Sequence, residues 1–582
     1  MSRPLRGLLV SDFHTGNLSN LLARDTSEPR VEAESAPFGQ VTSVLLGVEG
    51  FRDRPGKASS KASGKDEVGM DFALVWTRPE AVIQGFGDVL AMEAPPVEDL
   101  LREVDDFVAR LKAFAERVGT LFVTTWPRTP GDRGLGILDL SHPEGPGRLL
   151  HQMNARLMEG LTGVSGVYLL DSDRWLAEAG EGAVDPRLWY LAKVPYSPAV
   201  FRAAVRDLKA GLRAVQGQTR KLLIVDLDDT LWGGIVGETG WEGLQLGGHD
   251  ARGEAYLDFQ RALKALTRRG VILGIVSKND PEVALTAIRE HPEMILRTED
   301  FAGWRINWLD KAQNVAELVS ELNLGLDAAV FIDDNPAERG RVREALPQVA
   351  VPEWPEDPLR YASELRSLVF FDQAQFSPED RKRSRSYAAD RERKDLLSGT
   401  GSMEEWLERL ELEVRARPLD AATLPRAAQL LNKTNQMNLR TRRLAEAEFL
   451  DWARESSREV WTFRVQDRFS DAGLTGLLSI SVEGQEARVE DFILSCRVFG
   501  REVENAMLHV AVERARDLGA RTLEAEYLET GRNAPCLSFL RDRSGLTPAR
   551  KEAQVFRWDL DERYPVPSHL KLILEGASQA QR

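Results

Sequence analysis

The chain has 582 residues, of which 42% are hydrophobic and 29% charged, and its formal net charge is −15. That length predicts about three domains of an ordinary globular protein, and the acidic balance excludes a broad electrostatic footprint for nucleic acid. Only two cysteines, Cys496 and Cys536, exclude a disulfide framework and fit a reducing compartment. The first apolar run stops at Val10, too short for a signal-peptide core, and no later run approaches a membrane span. The expected location is cytoplasmic, with no membrane and no nucleic acid among the partners.

Residues 1–215 read as a first α/β domain. Strand-like runs at 7–10, 44–46, 72–76, 120–124 and 167–170 are joined, in the later part, by helical patterns at 97–117 and 148–158. The segment 54–65, rich in Lys, Ser and Gly, reads as a surface insertion. Ser11-Asp12-Phe13-His14 resembles the first block of SGNH hydrolases. The late Asp-x-x-His that would complete a triad is absent, with Asp185-Pro186-Arg187-Leu188 near its expected place. A binding domain without hydrolytic activity is the expectation.

The most informative stretch begins the second domain, 216–375. Leu222-Leu223-Ile224-Val225 reads as a buried strand and runs into Asp226-Leu227-Asp228-Asp229-Thr230. Carboxylates at the carboxyl end of a parallel strand lie where open α/β sheets bind ligands. Unpaired, such acids would repel, so a hard cation such as Mg²⁺ is the natural companion. Two further strand-like runs, 271–276 and 328–332, end in Ser277-Lys278-Asn279-Asp280 and Asp333-Asp334-Asn335. Lys311, at the front of a helical stretch, supplies positive charge.

Four such elements in this order resemble the haloacid dehalogenase (HAD) superfamily of phosphotransferases. The resemblance implies that Asp226 is the nucleophile, forming an aspartyl-phosphate, and that Asp228 is general acid and base. It implies that Ser277 and Lys311 stabilise the phosphoryl group. The metal would be held by Asp226, the backbone carbonyl of Asp228 and Asp333, with Asp334 just outside. Thr230, Lys278 and Asn279 join the expected phosphate-binding set. The Trp232-Gly233-Gly234 turn is expected to shape a flap over the phosphate, because glycine allows close backbone approach.

A charged helical linker is expected over 376–400, followed by a third domain over 401–582. There, helical patterns at 424–431 and 445–454 precede strands at 460–465, 474–482 and 487–494, a helix at 502–518, a strand at 522–525 and a helix from about 533. This order resembles the GNAT acyltransferase fold, in which a glycine turn leads into a helix whose amides hold a pyrophosphate. Here the turn, Arg497-Val498-Phe499-Gly500-Arg501-Glu502, ends in a glutamate that would crowd and repel a pyrophosphate.

Asp226–Gly234 before Gly237-Glu238, together with Ile306-Asn307-Trp308, Asp333-Asp334-Asn335-Pro336, Thr434-Asn435-Gln436-Met437-Asn438 and Ser495-Cys496-Arg497-Val498, resembles FkbH-like proteins, HAD subfamily IIIC. The resemblance implies a small phosphorylated acyl substrate, 1,3-bisphosphoglycerate, dephosphorylated and loaded as a glyceryl thioester onto an acyl carrier protein in polyketide-like biosynthesis. A cysteine would carry the acyl group in transit, and Cys496 is the better candidate. It ends a strand, precedes a helical pattern and lies between Ser495 and Arg497, with Arg501 nearby, an environment that favours thiolate. Asn435, Gln436 and Asn438 are expected along the acyl path, with Arg497 beside the thiol, and Cys536 reads as a packing residue. Two other readings remain open: a plain Mg²⁺-dependent phosphatase acting on a free metabolite, and a non-catalytic biosynthetic scaffold.

Overall fold

A computed structural model describes residues 3–47, 70–93, 95–376, 387, 403–550 and 554–575. The segment 54–65 lies outside the described residues, and so does the linker 376–400 apart from Phe376 and Tyr387. The chain is a multidomain α/β protein that divides into two compact units, Met1–Ala214 and Val215–Arg582. Among the described residues no helix is long and apolar enough to cross a membrane.

The first unit holds a parallel sheet of five strands: β1 (Leu5–Val10), β2 (Val31–Ser35), β3 (Phe72–Val75), β4 (Leu121–Thr124) and β5 (Val167–Leu170). Their order is β2-β1-β3-β4-β5. The expected strand at 44–46 is instead part of a helix, Val41–Leu46. Val41, Val44 and Leu45 recur at helical spacing and all are buried, a period that three apolar letters alone did not disclose. The strand missed in its place, β2, has only one buried residue, Val31, and so carries little apolar signal.

The second unit opens with a four-stranded parallel sheet of β6 (Leu222–Val225), β7 (Ile272–Ser277), β8 (Phe301–Ile306) and β9 (Ala329–Ile332), in the order β8-β7-β6-β9. Its strands are buried on both faces, as crossover helices require. Leu223, Val225, Val330 and Ile332 pack in one apolar layer with the helix Ala251–Arg268. Leu222, Ile224, Ala329 and Phe331 pack in the other with the helix Lys311–Glu321. The strand period of two therefore carries the next residues, Asp226 and Asp333, to the face covered by the helix that begins at Lys311.

The rest of the second unit is a nine-stranded mixed sheet. In chain order it has β10 (Leu412–Pro418), β11 (Met437–Asn438), β12 (Arg458–Gln466), β13 (Asp471–Glu483), β14 (Glu486–Leu494), β15 (Thr522–Glu526), β16 (Thr547–Arg550), β17 (Val555–Asp559) and β18 (Leu570–Leu574). The order is β16-β17-β15-β14-β13-β12-β10-β18, with β11 against β14. β14 and β15 are parallel and paired only from Glu486/Thr522 to Val489/Ala525. Beyond that point β14 pairs with Met437 and Asn438 instead. The same short segment is bonded on its other side, where Leu528 N–H donates to Leu439 O at 3.1 Å.

Asn533, fully buried, fastens this insertion. Its amide donates to Asn438 O and Leu528 O, each at 2.9 Å, and its oxygen accepts from Tyr527 Oη at 2.8 Å and Thr530 N at 2.9 Å. Replacing Asn533 with alanine removes these partners from buried groups, at a cost of about 2–3 kcal/mol. The Asn533→Ala protein should show a lower denaturant midpoint by tryptophan fluorescence. A midpoint equal to wild type would contradict this role.

Candidate functional site

At the carboxyl edge of the four-stranded sheet, the sequence brings three acids and one lysine together. Lys311 Nζ lies 2.6 Å from Asp333 Oδ2 and 3.1 Å from Asp226 Oδ2, and all three side chains are at most 8% exposed. Asp226 N–H donates to Ile332 O at 3.1 Å, which holds the two strand ends in register. Burial alone would discharge Lys311, but the two carboxylates outweigh it and raise its pKa. Asp333 is raised by burial and by the Asp226 charge, against the pull of Lys311. Asp334 is raised by the same two influences.

One atom in this cluster is left over. Asp226 Oδ1 is buried and has no hydrogen-bond partner. Asp226, Asp333 and Asp334 each offer an oxygen within 4.8 Å of the others. An unsatisfied buried carboxylate oxygen within an all-oxygen donor set fits a hard divalent cation such as Mg²⁺. The Asp228 carboxylate stands outside this set. Its Oδ1 accepts from Trp232 Nε1 (2.9 Å) and Val236 N (3.1 Å), and its Oδ2 from Asn279 Nδ2 (2.8 Å). Burial still raises its pKa, with those three donors opposing. Ser277, 1% exposed, accepts from Asn279 at 3.4 Å and retains its own proton to donate.

Several residues expected to touch phosphate brace the site instead. Trp232 is fully buried and holds Asp228. Gly233 pairs with Gln245 through both backbone groups, and Gly234 N–H donates to Asp229 Oδ1 at 2.9 Å. The expected flap is thus a pinned turn. Thr230, also fully buried, donates to Asp334 Oδ1 and accepts from Asp334 N–H. Lys278 lies at the surface, its ammonium 2.6 Å from Glu338 Oε1. Sequence reasoning missed Arg339, which donates to the carbonyls of Asp333 and Asp334 at 2.8 and 2.7 Å. It also missed Tyr256 and Tyr361, whose hydroxyls donate to Asp229 O. The Asn335-Pro336 helix start was the available signal for Arg339, one turn further on.

A second site lies at the opposite edge of the same sheet. A cavity of about 270 Å³ is lined by Gly217, Lys221, Asp327, Asn435, Gln436, Cys496 and Arg532 among others. Lys221 and Ala328 immediately precede β6 and β9, whereas Asp226 and Asp333 immediately follow them. β6 therefore separates the cavity from Asp226 by roughly 16 Å at the rise of a strand. Gly217 has φ +68° and a side chain there would strike Asn432 O, so glycine permits this close approach.

Cys496 Sγ is 3.1 Å from the Tyr387 hydroxyl. The expected helix start beside it is only a short 3₁₀ turn, Cys496–Val498, and the α-helix begins at Val503. Arg501 is committed to Asp467 at 3.0 Å, and Arg497 Nε bonds Ser495 Oγ at 3.3 Å. Asn438 is taken up in its own turn, donating to Thr434 O and accepting from Arg440 N and Thr441 N. Glu504 is buried at the first turn of the helix Val503–Asp517, and burial raises its pKa. That helix terminus already holds an acid of its own. Burial pushes the Cys536 thiol up to about 12, the behaviour of a packing residue.

In the first unit, Ser11 Oγ accepts from Phe13 N, Asp12 binds Arg78 through both oxygens, and Asp185 caps the helix Pro186–Ala192. Among the described residues no histidine is bonded to Ser11, and no hydrolytic triad forms.

No family model matches the chain, and no curated protein matches it. Among solved structures, the chain is similar to the N-terminal part of the protein BF1531 from Bacteroides fragilis, described as containing a phosphatase domain complexed with Mg. The identity is 26%, the TM-score 0.56, and the match covers 64% of this chain and 95% of that one. Shorter similarities include the ribosomal-protein-S18-alanine N-acetyltransferase from Escherichia coli (12% identity, 25% of this chain and 94% of that one, TM-score 0.19). A putative acetyltransferase from Salmonella typhimurium, solved with acetyl-CoA, matches at 14% identity over 27% of this chain and 98% of that one, with TM-score 0.20.

Proposed function

We propose that the chain is a Mg²⁺-dependent phosphatase of the HAD type, acting on a small phosphorylated acyl substrate, with Cys496 carrying the acyl unit to an acyl carrier protein. The observation that carries the phosphatase reading is the Lys311 ammonium held between Asp226 and Asp333 beside the unsatisfied Asp226 oxygen. The similarity to a phosphatase domain complexed with Mg supports it. Asp226, Asp333 and Asp334 would hold the ion, which supplies charge stabilisation for the transferring phosphoryl group.

The residues then have distinct tasks. The Asp226 carboxylate attacks phosphorus, and the bond from phosphorus to the leaving oxygen breaks. Asp228, whose pKa burial raises, gives a proton to that oxygen. Water then attacks the aspartyl-phosphate, its proton passes to Asp228, and phosphate leaves with Asp226 restored. Ser277 donates to a phosphoryl oxygen, and Lys311 balances the charge on the nucleophile.

Thioester formation follows a different course. The Cys496 thiolate attacks the acyl carbon of an acyl phosphate, and the carbon–oxygen bond breaks with phosphate taking the electron pair. Hydrolysis of that same acyl phosphate at Asp226 would discard its activation. With 1,3-bisphosphoglycerate, the group removed at Asp226 is therefore the phosphate ester at the other end. Because β6 lies between the two sites, the thioester forms first and the carrier's arm takes the phosphate ester to the far edge of the sheet. That same separation favours a second reading, a plain phosphatase in which Cys496 has no part.

Asp226→Asn should lose phosphate release from a phosphate ester while melting near wild type, and Asp228→Asn should lower kcat by about 10²–10⁴-fold. Excess chelator should abolish wild-type turnover. Full phosphate release by Asp226→Asn, or wild-type activity in chelator, would overturn the mechanism.

Intact-mass spectrometry after incubation with 1,3-bisphosphoglycerate should show an acyl adduct on wild type and none on Cys496→Ala, while both proteins should still release phosphate from a free phosphate monoester at Asp226. Carrier loading by Cys496→Ala at the wild-type rate would remove the carrier role. Phosphate release by wild type without any adduct would favour the plain phosphatase.

A further inference from the structure

Arg443 is bonded to Asn435, a residue that lines the Cys496 cavity. The Arg443 guanidinium donates to Leu431 O and to Asn435 Oδ1, and among the described residues no carboxylate pairs with it. Burial, and then repulsion from Arg532, push it down to about 10. Carbonyl oxygens satisfy its N–H groups but leave its charge unbalanced. Arg532, on the cavity wall, is itself shared with Asp327 at 3.1 Å, a pair that is nearly half exposed. Among the described residues the titratable lining comprises Lys221 and Arg532, Asp327 and the thiol itself.

Arg443 also fixes the orientation of its neighbour. With Asn435 Oδ1 accepting from Arg443, the NH₂ end of that amide remains as a donor for whatever enters the cavity. A guanidinium and an amide NH₂ lining one cavity, with a second guanidinium bonded to that amide, match the oxygens of a phosphate. The nearby helix terminus at Val503 is not available for that purpose, because Glu504 holds it.

The geometry points to a phosphate-binding subsite beside Cys496, formed by Arg532 and the Asn435 amide and backed by Arg443, that takes the phosphate group of an acyl donor or of a carrier's phosphopantetheine arm. The subsite deepens the acyl-carrier reading and rests on it for the identity of the ligand. Its test needs no turnover, so a failure here is separable from a failure of the chemistry at Asp226.

The full-length protein is alkylated with iodoacetate, which is anionic, and with iodoacetamide, which is neutral, and modification of Cys496 is read by peptide mass spectrometry. Arg532→Gln should lower the iodoacetate-to-iodoacetamide rate ratio several-fold, and Asp327→Asn should raise it. The iodoacetamide rate reports that the cavity is intact in each variant. Protection from iodoacetamide by 3-phosphoglycerate assigns the phosphate to the donor. Protection by phosphopantetheine but not by pantetheine assigns it to the carrier's arm. A rate ratio unmoved by both substitutions, or no protection by 3-phosphoglycerate together with equal protection by pantetheine and phosphopantetheine, would overturn the subsite.

Discussion

Two carboxylates buried side by side repel each other, and Asp226 and Asp333 are held together by the ammonium of Lys311 between them. Burial in a poorly solvated pocket makes such a partner necessary. The arrangement depends on strand alternation: the same period that sends Ile224 and Phe331 into one apolar layer sends the following aspartates to that face. The helix that starts at Lys311 covers the same face, so charge balance and core packing are set by one register. A one-residue slip in β6 would bury Leu227 at the site and turn Asp226 away.

Around this centre, much of the polar machinery holds other polar machinery. Trp232, Val236 and Asn279 fix both oxygens of Asp228. Arg339 fastens the carbonyls of Asp333 and Asp334, and Thr230 fastens Asp334. Such supports matter because a reacting carboxylate must be held in one orientation to act on phosphorus. The Trp-Gly-Gly turn belongs to this scaffold. Its tryptophan is valuable for an indole N–H in a place closed to water.

The C-terminal sheet separates fold from function in another way. Its parallel strands β14 and β15 part after four residue pairs, and the chain fills the gap with β11. The helix terminus that follows holds Glu504. Two places where such a sheet could receive a ligand are therefore occupied by the protein itself. The open space lies elsewhere, between the amino ends of β6 and β9 and the Cys496 turn. The acid–lysine cluster and the Cys496 cavity thereby lie at opposite edges of one small sheet.

Much of this was legible in the letters. Runs such as Leu222–Val225 and Ile272–Ser277 are apolar enough to be buried strands on any reading, and acids placed directly after them announce a site at the sheet's carboxyl edge. The pairing of Lys311 with those acids followed from charge alone. β10 alternates Leu412, Val414 and Ala416 with Glu413, Arg415 and Arg417, a strand signal that the sequence did carry. β2, with a single buried residue, was not legible, since its pairing partners decide its conformation. Nor was the difference between a group that touches substrate and one that braces it. Trp232, Thr230 and Lys278 stand in motifs with the right residue types, but a sequence does not say which polar atoms are already bonded. The sequence by itself determined the order of the elements and the chemistry at the ends of the strands, because both depend on neighbours along the chain. Only the tertiary structure decided that Cys496 and Asp226 lie at opposite edges and that Arg443 meets no carboxylate among the described residues, because both depend on residues distant in sequence meeting through the packing of sheets and helices.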